Sequence, residues 1–165
     1  MVSGVPLGLL LMGKILLPIM LVFSQQVLLL LLAVIFYDAA IPHSIAAYLS
    51  NAMAFAINIA TLGLAVAAFV RSLPQMNAII HVASIILAAS SGAFIPLASA
   101  STSITLLAQL TPSYWLVSAQ TQVLLEQQSW LGCLPALLVL LLQALLLLLI
   151  AMRRFNAGEK KYNWA

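Results

Sequence analysis

A chain of 165 residues that is 65% hydrophobic and only 5% charged cannot fold as an ordinary soluble domain, where about a quarter of residues are charged. Its net charge of +3 does not point to nucleic acid, because the six Lys and Arg flank long apolar runs, the pattern that sets orientation in a membrane. The single cysteine, Cys133, excludes an internal disulfide and a cysteine-based metal site.

The opening stretch, Met1 to Lys14, has no basic region ahead of its apolar run and no small-residue cleavage site, so no signal peptide is expected. A hydrocarbon core of roughly 30 Å takes about 20 apolar residues per crossing helix. The first such segment runs from Ile15 to Tyr37 and is interrupted near its middle by Ser24, Gln25 and Gln26. After a short connection from Asp38 to Ser44, a second runs from Ile45 to Val70. It carries Ala52, Ala56 and Ala60 on one stripe, continued by Gly63 and Ala67, with Asn51 and Asn58 seven apart on one face and Thr61 a turn beyond.

The connection from Arg71 to Asn77 contains Pro74, a residue suited to a helix start. A third span is expected from Ala78 to Leu97, with His81 near one end and Ser84, Ala88 and Gly92 at four-residue spacing. Small residues let helix backbones approach closely in lipid, so the second and third spans are expected to be central. The fourth, from Trp130 to Met152, contrasts with them. Twelve of the nineteen residues from Leu131 to Leu149 are leucine, and this helix is expected to be peripheral and to face lipid, with Gln143 its one polar side chain.

Residues 98–129 are too polar at their start to span and are cut by Thr111-Pro112. They are expected to form a re-entrant segment that dips into the outer leaflet or lies along it, with Tyr114, Trp115 and Trp130 at the interface, where amphipathic rings collect. Irregular backbone at that depth needs protein or water around it, so a covering surface is implied.

Charge fixes the orientation. Lys14, Arg71, Arg153, Arg154, Lys160 and Lys161 are separated by even numbers of spans, while Asp38 and Glu126 fall in the opposite loops. Cations are retained on the cytoplasmic side, which places both termini there. The expected fold is all-α: a polytopic bundle of four transmembrane helices and an external re-entrant hairpin. One membrane domain covers 1–155 and a cytoplasmic tail 156–165.

The mid-span polar residues Gln25, Gln26, Asn51 and Asn58 admit two readings, a polar translocation path or hydrogen bonds between helices. His81 invites a catalytic one, but Ser90 and Ser91 lie nearly three helical turns away and Asp38 belongs to the opposite face. No phosphate-binding loop with a Lys is present. The chain is therefore expected to be no enzyme, with no cofactor and no metal.

The order of features resembles the membrane subunits of type-2 ABC exporters. The residues that carry the resemblance are Gly13-Lys14 before a span, Phe36 near its end followed by Pro42 outside, and Gly63-Leu64-Ala65-Val66 with Arg71 and Gln75 closing the next span. Then come Ser91-Gly92-Ala93-Phe94-Ile95-Pro96-Leu97, Leu110-Thr111-Pro112-Ser113-Tyr114, and a last span ending in Arg153-Arg154. The Ser-Gly-x-Phe-x-Pro run is the most specific of these. The resemblance reaches across the chain but corresponds to the C-terminal part of such subunits; the spans and coupling helix that precede the Gly-Lys position in the family have no counterpart in it.

It implies a permease subunit, or the C-terminal half of one, in a bacterial inner membrane. Its partners would be a separate ATP-binding cassette ATPase subunit and a second permease copy or an N-terminal half. It also implies an exit-side re-entrant segment that includes Ser91, Gly92, Phe94, Pro96, Pro112 and Tyr114. The alternative is a small four-span scaffold or accessory protein that transports nothing.

Overall fold

Leucine-rich runs studded with alanine satisfy their backbone within one segment only as helix, which is what a lipid environment demands. The computed structural model describes the backbone of residues 7–37, 41–42, 44–92 and 101–162, and side chains from 13 to 155 within these. In chain order the helices are α1 (Leu7–Tyr37), α2 (Ile45–Phe69), α3 (Leu73–Ser90), α4 (Thr102–Ala108), α5 (Pro112–Leu124) and α6 (Leu134–Tyr162). A 3₁₀ turn at Trp130–Cys133 leads into α6. No strand occurs among the described residues. Four segments, Gly13–Tyr37, Ile45–Phe69, Leu73–Ser90 and Trp130–Phe155, are long and apolar enough to cross a membrane. The protein is an all-α membrane protein.

Local chemistry sets the boundaries. Ser44 caps α2 by accepting from the Ala47 amide at 3.2 Å, and Ser72 caps α3 by accepting from the Gln75 amide at 3.4 Å, with Pro74 in the first turn. The α3 start is therefore five residues earlier than the span expected from Ala78. Its last helical residue is Ser90, and Gly92 follows with φ of 85°. That left-handed conformation is open to glycine and closes helices. The remainder of the expected third span, with Phe94 and Pro96, lies outside the described residues, as does Asp38.

The bundle is organised around α2, which packs on α6, α1 and α5. Ala52, Ala56 and Ala60 are buried, as their spacing predicts. One core cluster joins Ala47, Tyr48, Ala52, Val123 and Cys133, with Phe23 and Leu30 of α1 against it. A second joins Leu64 and Ala65 to Ala151, with Ile15 and Leu147 against it.

Two expectations are corrected. First, α6 is not peripheral: it is the principal partner of α2. Ala136, Leu140, Ala144 and Ala151 form its buried stripe, while Leu138, Leu142, Leu145, Leu146 and Leu149 point outward. Leucine content describes the lipid-facing arc and hides the narrow stripe of small residues that makes the contact. Second, α3 is not central. None of its residues is buried, Ser84 is exposed, and Ala88 and Gly92 are half-buried. Small residues permit close approach but do not specify with whom, and the faces of α2 are occupied chiefly by α1, α5 and α6.

Candidate functional site

Between α3 and α6, residues 101–133 hold two short helices with a break between them. Thr111 is extended (φ −97°, ψ 144°), as a residue before proline should be, and it separates the seven-residue α4 from the thirteen-residue α5. At 1.5 Å per residue these helices are about 10 and 20 Å long, too short to cross. The prediction of a break at Thr111-Pro112 holds.

A break exposes carbonyls, and here each carbonyl from Leu107 to Leu110 has a donor. The Leu107 oxygen takes the Leu110 amide at 3.1 Å and the Ala108 oxygen takes the Thr111 amide at 2.9 Å. The Gln109 oxygen takes the Trp115 indole N–H at 2.7 Å. The Leu110 oxygen takes the Gln143 Nε2 at 3.3 Å, across to α6. The Thr111 hydroxyl lies 2.7 Å from the Ala108 oxygen and 2.8 Å from Ser90 Oγ at the end of α3. An unpaired peptide group in hydrocarbon costs several kcal/mol. This local satisfaction lets irregular backbone sit inside the bundle.

Its depth follows from register. Asn58, near the middle of α2, donates through Nδ2 to the Leu140 carbonyl at 2.9 Å and to Gln143 Oε1 at 3.3 Å. Gln143 in turn reaches Leu110, so the break is level with the middle of α2 and α6. From there α5 runs along the bundle axis. Leu116, Ala119 and Val123 are buried, Cys133 Sγ lies 3.9 Å from the Ala119 carbonyl, and Val123 packs beside Ala47 and Ala52.

Tyr114 and Trp115, expected at the outer interface, are instead half-buried in the first turn of α5, about two turns along the helix before Val123. They stack edge-on with centroids 5.4 Å apart. Trp130 is at the other end of the connection, where its indole donates to Ser50 Oγ at 3.3 Å. The segment penetrates the bundle rather than lying along it, because apolar Leu116, Ala119 and Val123 recur at helical spacing and are buried against α2 and α6.

The four mid-span polar residues divide sharply. Gln26 is a junction: its backbone carbonyl accepts from Tyr48 Oη at 3.0 Å, and its side-chain oxygen accepts from Gln120 Nε2 at 2.9 Å, so α1, α2 and α5 meet there. Asn58 ties α2 to α6. Asn51 only bonds its own helix, donating to the Ala47 carbonyl at 2.9 Å. Gln25 is exposed beside Phe23, Val27 and Leu28.

Asn51 and Asn58 are 1% and 0% exposed, and the Oδ1 of each has no hydrogen-bond partner among the described residues. Thr61 donates within α2, 2.8 Å from the Asn58 carbonyl and 3.0 Å from that of Ile57. His81 is exposed on α3. Gln120 is the site residue that sequence reasoning missed: among Ser118, Thr121 and Gln122 it carries no distinguishing signal. Gln143, a lone amide in an otherwise apolar run, carries the usual mark of a contact between helices in lipid.

Compared with family models, curated proteins and solved structures, the chain matches none.

Proposed function

We propose that this protein is a permease subunit of an ATP-binding cassette exporter, or the C-terminal half of one, in a bacterial inner membrane with both termini cytoplasmic. The observation that carries the reading is the order of elements from α3 onward: a helix closed by Gly92, two short helices broken at Thr111-Pro112 at mid-bundle depth, and a long helix whose apolar span reaches Arg153-Arg154. A segment whose break lies at mid-bundle and whose α5 runs toward the end from which α2 and α6 start would cap a path opening on that side.

ATP hydrolysis belongs to a separate subunit in this proposal, since the sequence has no phosphate-binding loop with a Lys. A second permease copy or an N-terminal half would meet the exposed faces of α3 and α1. The buried amides Asn51 and Asn58 and the half-buried Gln26 act as joints between or within helices in the conformation described, and Gln25 is the mid-span amide left available to a path or a partner.

Gentle detergent extraction of the tagged protein from its own membranes tests the reading. Stoichiometric recovery of an ATPase subunit, with ATP turnover that changes when the permease is removed, is the predicted result. A folded, stable chain recovered repeatedly with no nucleotide-hydrolysing subunit would favour the non-transporting scaffold.

A further inference from the structure

At the end of the bundle opposite Trp130, a groove of about 490 Å³ opens between three helices. Ala65, Val66, Phe69 and Val70 of α2 line it, with Leu147 and Ile150 of α6 and, from α3, Gln75 and Ile79. Gln75 is the single polar side chain among them, and its Oε1 is engaged by the Arg71 amide at 3.2 Å.

The mouth of this apolar groove is cationic. Arg71 directly follows Val70 in the chain. Arg153 and Arg154 lie three and four residues beyond Ile150, one turn further along the same face of α6. All three are exposed. The Arg154 guanidinium is held 5.5 Å above the centre of the Phe69 ring, so one cation is fixed at the rim by a residue that also forms the wall. No carboxylate of the described residues lies within ion-pair distance of these arginines; Glu126, the acid whose side chain is described, belongs to the loop after α5, at the other end of the bundle.

We propose that this groove is a binding site for one anionic phospholipid. The headgroup phosphate would lie among Arg71, Arg153 and Arg154, and the upper part of an acyl chain would run down the wall formed by Phe69, Val66 and Leu147. Charge complementarity selects this occupant. A zwitterionic lipid would fill the groove, but its quaternary ammonium would offset the phosphate charge that three exposed guanidinium groups favour. A soluble phosphate would meet the arginines but leave the apolar wall, which extends about 7 Å from Val70 to Ala65 at 1.5 Å per residue, in contact with water. Only a molecule with both parts satisfies both surfaces, as basic pockets between transmembrane helices do for acidic headgroups.

The test uses the full chain, purified in neutral detergent and delipidated. It is offered phosphatidylglycerol, phosphatidylcholine or sn-glycerol 3-phosphate, with bound molecules counted by native mass spectrometry. The structure predicts one phosphatidylglycerol retained per chain in preference to phosphatidylcholine. Arg153→Gln with Arg154→Gln should reduce that preference by roughly thirtyfold, at about fivefold per cation, and the double Lys variant should restore most of it. Val66→Trp, which fills the groove and spares every cation, should abolish retention. Val66→Phe, a smaller change at the same half-buried position, serves the same purpose if the larger substitution does not fold.

Equal retention of the two lipids by the unaltered protein would overturn the proposal. So would undiminished preference in the double Gln variant, or binding of sn-glycerol 3-phosphate as tight as that of the lipid.

Discussion

The side-chain amide of Gln143 donates to the carbonyl of Leu110 at 3.3 Å, so a helix that crosses the whole bundle supports the peptide at which another helix breaks. Through Gln143 Oε1 the same side chain receives the Asn58 amide at 3.3 Å, and three elements share one polar junction. Such bonds between helices in lipid are worth about 0.6 to 2 kcal/mol each.

Gln143→Leu should therefore destabilise the protein by about 1 to 2 kcal/mol, and Asn58→Ala by a similar amount. The double variant should cost less than the sum, because both remove the same junction. Unfolding in mixed micelles, read by tryptophan fluorescence, measures the coupling, and strict additivity would contradict the shared network.

Asn51→Ala should differ from Asn58→Ala. The Asn51 amide bonds only a carbonyl of its own helix, and its oxygen has no partner among the described residues. Removing it gives up one weak bond and one unsatisfied atom, so the change should cost about 1 kcal/mol or less and fall below the cost of Asn58→Ala. A larger loss at Asn51 would show that its oxygen is engaged.

Packing can be tested at three alanines and one leucine. Ala56→Leu and Ala144→Leu insert bulk where α2 and α6 pack closely and should cost about 1 to 3 kcal/mol. Leu146→Ala on the outward face, and Ala88→Leu on α3, should be mild by the same assay. Equal sensitivity at Ala88 and Ala56 would restore α3 to the centre of the bundle.

The distribution of cations predicts the orientation. In a Cys133→Ser background, cysteine at Ile41 should react with a membrane-impermeant maleimide in intact cells and cysteine at Ser72 should not. The reverse pattern would invert the whole assignment.

The helices and their periodic faces were legible because lipid leaves the backbone few options. Runs of twenty apolar residues, Ser44, Ser72 and Pro74 as starts, and Gly92 as a stop all carry local instructions. The stripe Ala52, Ala56 and Ala60 was legible for the same reason. Pairing was not. The leucine count of α6 masked Ala136, Ala144 and Ala151, and the small residues of α3 were compatible with a contact that α2 makes with other helices. The depth of Tyr114 and Trp115 was also illegible, since aromatic preference for interfaces is an average. Burial of Leu116, Ala119 and Val123 along the bundle axis overrides it here. Among the candidate site residues, Gln25 and Gln26 are adjacent in sequence yet one is exposed and the other joins three helices, a distinction set by the rotation of α1 against its neighbours.

Residues 101–126 are proposed to reach the middle of the bundle at Thr111-Pro112 and to keep both ends on one side of the membrane. Cysteines at Ser101 and Glu126, introduced one at a time into the Cys133→Ser background and probed from both sides of oriented membranes, test it most directly. Both should react from the side that labels Ile41 and neither from the side of Ser72. Labelling of Ser101 from one side and Glu126 from the other would make the segment a fifth crossing and contradict it.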